Sequence, residues 1–204
     1  MIRKDLNINK GEWLSDVIKE IPTNTILNKT MTGCGATTLE INAARHSIII
    51  EPNVPVIVGK KAQHSFLFAV YEGTSKEDVK AYLAGEHDGY RKIITTPEGF
   101  DKKVLPAMYE TNTPIFEDYF LLFDECEKAI QDVGYRGDIY LPVEDFFKFK
   151  NKAMVSATPI VPSDPRFAKQ SFEMLRIVPT YDYRQPLTVC ITNNTVRVLR
   201  ILLA

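Results

Sequence analysis

No stretch of this chain approaches the roughly 18 consecutive apolar residues that suggest a membrane-spanning helix, so an integral membrane protein is not expected. Cysteine is scarce and unpatterned. Cys34, Cys126 and Cys190 are far apart, odd in number and without a Cys-x-x-Cys pair, which argues against a disulfide framework and offers no zinc-ligand spacing. His46, His64 and His87 are equally scattered and read as ordinary surface or core residues. A basic excess is missing too: 25 Lys and Arg stand against 26 Asp and Glu, for a formal net charge of −1. Any nucleic-acid contact must therefore come from a local arrangement, not from bulk attraction. The opening residues MIRKDLNINKGEW carry charges with no apolar run behind them, which does not read as a secretory signal. A cytoplasmic location is expected.

What is present is the make-up of a folded domain. With 204 residues, 45% hydrophobic and 25% charged, the chain has room for one substantial α/β domain and a little more. Short apolar runs at Ser47–Ile50, Lys92–Thr95, Tyr119–Phe123, Ala153–Val155 and Leu187–Ile191 read as strands buried on both faces, as in a parallel sheet. Ala36–Ala44, Glu77–Leu83, Gly99–Tyr109 and Glu125–Val133 read as helices between them, giving strand–helix alternation and an α/β fold with helices on both faces of a mostly parallel sheet. After the segment from about Phe167 to Tyr183, whose edges are rich in Pro and charge, Pro186 precedes the strand Leu187–Ile191 and the apolar helix Val196–Leu203. Residues 1–180 are expected to form one lobe, and 181–204 the truncated start of a second or a docked strand and helix.

Three motifs carry chemistry. Thr25–Asn28 reads as a short strand running into Lys29-Thr-Met-Thr-Gly-Cys-Gly-Ala-Thr-Thr38 and then a helix, the setting of a phosphate loop. Gly33 and Gly35 let the backbone curl so that several N–H groups converge on an anion, and the helix N-terminus adds its positive end. Thr37 sits where a hydroxyl can ligate Mg²⁺ on a nucleotide. Against G-x-x-x-x-G-K-[ST], however, Thr30 replaces the first Gly and Ala36 the Lys. The missing ammonium is worth about 10- to 100-fold or more in rate, while binding through the backbone and Mg²⁺ can survive. Lys29 could reach the phosphates from another direction; a solvated lysine before a turn is the plainer reading.

The strand Tyr119–Phe123 ends abruptly in Asp124 and Glu125. At the carboxyl end of a buried parallel strand, Asp124 can hold Mg²⁺ through water and Glu125 can orient or deprotonate an attacking water; a solvated helix start is the bland alternative. Downstream, Ser156-Ala157-Thr158-Pro159 is a second apolar strand end bearing two hydroxyls.

In this order and spacing, the motifs resemble those of the first RecA-like lobe of superfamily 2 helicases, the group that includes the DEAD- and DEAH-box proteins. Thr32-Gly33-Cys34-Gly35-Ala36-Thr37 looks like their Thr-Gly-x-Gly-Lys-Thr, Asp124-Glu-Cys-Glu127 like Asp-Glu-x-[His/Asp], and Ser156-Ala157-Thr158 like Ser-Ala-Thr. Ile49-Ile-Glu-Pro52 and Ile94-Thr-Thr-Pro97 are weaker matches to motifs Ia and Ib.

The resemblance, which spans about Ile26 to Pro159, implies a P-loop NTPase that binds ATP and Mg²⁺ through Thr32 to Thr38, with Thr37 and Asp124 at the metal. It also implies Ser156 to Thr158 as a coupling motif and Asn53, Thr95 and Thr96 as contacts to DNA or RNA. A second RecA-like lobe would complete the site. Lys60, Lys61, Arg91 and Lys92 lie near the implied nucleic-acid segments and read mainly as solvated charges. Ala36 and Glu127 depart from the family pattern. An ATP-dependent module therefore competes with an inactive helicase-like scaffold, and more remotely with another P-loop enzyme. Trp13 reads as a core residue in preference to a base-stacking one.

Overall fold

The computed structural model describes residues 1–126, 143–159 and 162–183. Eight strands, β1 (Arg3–Ile8), β2 (Thr25–Asn28), β3 (His46–Ile50), β4 (Phe68–Val70), β5 (Lys92–Thr95), β6 (Tyr119–Phe123), β7 (Asn151–Ser156) and β8 (Glu173–Pro179), form one sheet. Their order is β1-β8-β2-β7-β6-β3-β5-β4, and every pairing is parallel. The connecting helices are α1 (Leu14–Val17), α2 (Ala36–Asn42), α3 (Val54–Gln63), α4 (Lys76–Ala84), α5 (Pro97–Gly99), α6 (Leu105–Glu110), α7 (Ile115–Asp118), α8 (Val143–Lys148) and α9 (Pro165–Lys169). A π-helical turn at Phe100–Val104 joins α5 to α6.

The side-chain period of two explains why the central strands are apolar throughout. Ile48, Ile50, Leu121 and Phe123 point to one face and pack with Val79 and Leu83 of α4, Met108 of α6 and Phe146 of α8. Ile49, Phe120, Leu122 and Val155 point to the other and pack with Leu14 of α1, Leu39 of α2 and Ile57 of α3. A parallel sheet covered on both sides fits the α/β, RecA-like fold expected from the motifs. Among the described residues, no helix is long and apolar enough to cross a membrane.

Local chemistry sets several helix starts. Ser75 caps α4 by accepting from the Asp78 amide, and the Asp78 carboxylate accepts from the Ser75 amide in return, which satisfies two otherwise orphaned N–H groups. Thr96 caps α5 through the Gly99 amide, with Pro97 at the first helical position, where its missing N–H costs nothing.

β1 and β8 were not anticipated. β1 buries little besides Ile8, and its edge is tied to the sheet by ion pairs from Lys4 to Glu173 and from Arg176 to Asp5. β8 falls within the stretch read only as edged by Pro and charge. The expected strand Leu187–Ile191 and helix Val196–Leu203, and the expected helix Glu125–Val133 beyond Cys126, lie outside the described residues.

One buried polar network anchors the helix that follows the phosphate loop. Glu40, on α2 and fully buried, accepts from Arg45 Nη2 at 2.6 Å and from Ser47 Oγ at 2.6 Å. Lys92 Nζ donates to the Glu40 carbonyl and to Ser47 Oγ. The reading of Lys92 as a solvated charge is thus overturned: it is 2% exposed, and burial depresses its ammonium to about 8.

Candidate functional site

The strand tips bring the motifs together because their ladders continue one residue past the strands. The Lys29 amide donates to the Ser156 carbonyl, joining the tips of β2 and β7; the Asp124 amide donates to the Ile50 carbonyl, joining β6 to β3; and the Glu51 amide donates to the Thr95 carbonyl, joining β3 to β5. Residues more than 90 positions apart in sequence therefore meet at the carboxyl edge of one sheet, where open α/β folds place their ligands.

Asn28 starts the turn out of β2 by accepting the Thr30 amide, and Thr30 itself adopts φ 57°. Gly33 (φ 76°) and Gly35 (φ 90°) then take the left-handed conformation that glycine tolerates, and Gly35 caps α2. At the tip of the loop Thr32 and Gly33 are exposed, whereas Cys34 is buried. The Cys34 carbonyl accepts the Leu14 amide, so the start of α1 braces the loop, and burial pushes its thiol up. α2 has only 7 residues, two fewer than expected. Ala36 is 3% exposed, its methyl packed in the apolar cluster with Leu14 and Leu39.

Thr37 Oγ1 donates to Asp124 Oδ2 at 2.5 Å, so the hydroxyl and carboxylate named by the sequence motifs are in contact. These are hard oxygen donors of the type Mg²⁺ takes, and that ion usually keeps several waters and borrows phosphate oxygens in place of an all-protein cage. Among the described residues there is no group of three or more His, Cys, Asp or Glu able to hold a metal ion. Glu125 adopts φ 48°, a costly conformation for a non-glycine residue and one that clusters at functional sites.

Two charges that sequence reasoning missed or undervalued lie here. Lys29, 7% exposed, donates through Nζ to Asp124 Oδ1 at 3.1 Å and to Glu125 Oε1 at 2.6 Å. Burial opposes its charge, but the two carboxylates outweigh burial and hold its ammonium above the ordinary lysine range. Glu51, 2% exposed, accepts from the Asn53 amide and Nδ2; burial and then the nearby Asp124 charge push its carboxyl from 4.5 to about 6. Only the alignment of the β3 and β6 tips reveals Glu51.

A cleft of about 910 Å³ is lined by Lys29, Gly33 to Leu39, Trp13 and Lys60, among others. Lys60 Nζ donates to Thr38 Oγ1 at 2.7 Å, so a lysine read mainly as a solvated charge lines this cleft. Trp13, expected in the core, is 58% exposed at the rim.

The remaining candidates are placed differently. Ser156 is buried and its Oγ accepts the Thr158 amide, while Ala157 is partly exposed and Thr158 exposed. The Thr95 side chain is fully buried and its hydroxyl donates to the Thr96 carbonyl, leaving Asn53 and Thr96 as the partly exposed members of the expected nucleic-acid set. Glu127 lies outside the described residues. No family model matches this chain, and no curated protein matches it either.

Glu51 gives a pH test. Because the folded state holds this proton more tightly than the unfolded chain, the residue's contribution to stability falls as pH rises from 4.5 through about 6. Glu51→Gln is expected to leave stability near pH 4 almost unchanged and to raise it by about 2 kcal/mol at pH 7.5, read from urea unfolding at the two values.

Proposed function

We propose that this chain is the nucleotide-binding lobe of a helicase- or translocase-like P-loop NTPase that binds Mg²⁺ and ATP, acts on DNA or RNA and works with a second RecA-like lobe in the cytoplasm. The observation that carries this reading is the 2.5 Å contact between Thr37 of the glycine-rich loop and Asp124 of the acidic strand end, beside Glu125 and Ser156. In it, the loop amides from Thr32 to Thr38 cradle phosphates, Thr37 and Asp124 hold the metal, and Glu125 positions water. The bound metal would screen phosphate charge. Ser156 would transmit changes at the β7 tip to the loop through its carbonyl bond with Lys29.

A second reading, a helicase-like scaffold without hydrolysis, draws on Ala36, whose buried methyl replaces the usual ammonium. Fluorescence anisotropy with labelled single-stranded DNA and RNA separates the two. Strand affinity that changes on adding Mg·ATP is the result expected for the ATP-dependent module. Strand binding indifferent to nucleotide favours the scaffold, and no strand binding in any state would overturn the ATP-dependent module on DNA or RNA and leave a scaffold that binds protein.

A further inference from the structure

We propose that Lys29 is the phosphate-binding cation of this site, supplying from the end of β2 the ammonium that position 36 lacks; the inference rests on the nucleotide reading above. Three observations converge on it. Position 36 opens into an apolar cluster, so the loop offers no cation of its own at the start of α2. Lys29 is buried yet lines the same cleft as the loop from Gly33 to Leu39. Its amide is pinned to the Ser156 carbonyl, which fixes where the four-carbon stem begins.

The ammonium bridges Asp124 and Glu125, standing where a cation is needed between two adjacent carboxylates, with buried Glu51 near them. Phosphate oxygens of a triphosphate beside the loop would compete with the carboxylates for this ammonium, and Asp124 would be drawn toward a metal ion carried on those phosphates. Lys29 then turns from the carboxylates to phosphate oxygen and releases Glu125. The lysine thus has two roles: it holds the acidic pair together before phosphate binds and takes phosphate oxygen afterwards. A purely structural ion pair would serve only the first. Lys60, at the Thr38 hydroxyl, is the rival cation in the cleft.

Calorimetric titration of Mg·ATP and Mg·ADP onto the wild type, Lys29→Met, Lys60→Met and the charge-balanced double variant Lys29→Met with Glu125→Gln tests the assignment. A charge-assisted hydrogen bond to phosphate corresponds to about 10- to 100-fold in affinity. That loss is expected for Lys29→Met with ATP and again in the double variant, whose charge balance preserves folding in urea. Lys60→Met is expected to lose less than about threefold, the cost of one screened surface cation. Wild-type ATP affinity in either Lys29 variant, or tighter binding once Asp124 is freed, would make Lys29 a structural counter-ion and overturn the proposal. So would a large loss confined to Lys60→Met. If the wild type binds no nucleotide, the nucleotide reading itself fails, an outcome separate from wild-type binding that Lys29→Met leaves intact.

Discussion

Glu40→Ala is expected to destabilise the protein by about 3–5 kcal/mol, because removing the carboxylate at the centre of a buried ion network leaves buried positive charge without its counter-charge. Glu40 is fully buried and accepts from Arg45 and Ser47, while Lys92 donates to the same residue's carbonyl and to the same hydroxyl. Loss of the carboxylate leaves Arg45, which stacks on Phe120, with only the Ile21 carbonyl and the exposed Glu20 as partners, and takes from buried Lys92 the negative charge that favours its ammonium. Folded domains are stable by only about 5–15 kcal/mol, so the effect is a large fraction of the whole. Urea unfolding measures it, and Glu40→Gln, which keeps an acceptor for Ser47, is expected to lose less. The functional consequence follows from position: Glu40 ties α2 to β3 and β5, and α2 is the element on which the glycine loop rests.

The second large effect is expected at Gly35. Its φ of 90° is in the left-handed region, and a Cβ there would lie 3.3 Å from Trp13 Cε3. Left-handed backbone costs a non-glycine residue about 1–2 kcal/mol, and a β-branched one more. Gly35→Val is expected to lower stability by about 2 kcal/mol through this strain. It should also weaken Mg·ATP binding tenfold or more, since 1.4 kcal/mol of loop distortion is a factor of ten. Unfolding and calorimetry on one sample measure both. Unchanged nucleotide affinity in a folded Gly35→Val protein would remove the loop from the site.

How far the sequence could be read depended on where each residue's partners lay. Strands β3, β5 and β6 were legible because both faces of each strand are buried, leaving continuous apolar runs such as Tyr119–Phe123. β1 was not, since its charged residues meet partners on β8 some 170 positions away, and local pattern carries no trace of such pairs. β4, three residues long, is too short for any period to appear.

In the site, Thr37 and Asp124 were legible from motif spacing. Lys29 was visible only as a lysine before a turn, and its contacts became decisive once the β2 and β6 tips were seen side by side. Lys60 and Trp13 were misplaced for the same reason: which surface a helix residue faces, or whether an aromatic sits at a rim, depends on packing and not on local sequence. Thr95 was correctly placed at the end of β5 but is buried by neighbouring elements, which a motif match does not register.

The tips of β2, β6 and β7 are proposed to form a nucleotide site that works through Thr37 and Asp124. Its most direct test is calorimetric titration of ATP onto the wild-type chain with and without Mg²⁺, repeated with Thr37→Ala and Asp124→Ala. The expected result is a Kd of about 1 mM or tighter, near −4 kcal/mol or better, that depends on Mg²⁺ and weakens in both variants while urea unfolding shows them folded. A folded wild-type protein that takes up no ATP, or one whose binding ignores Mg²⁺ and both substitutions, would contradict it.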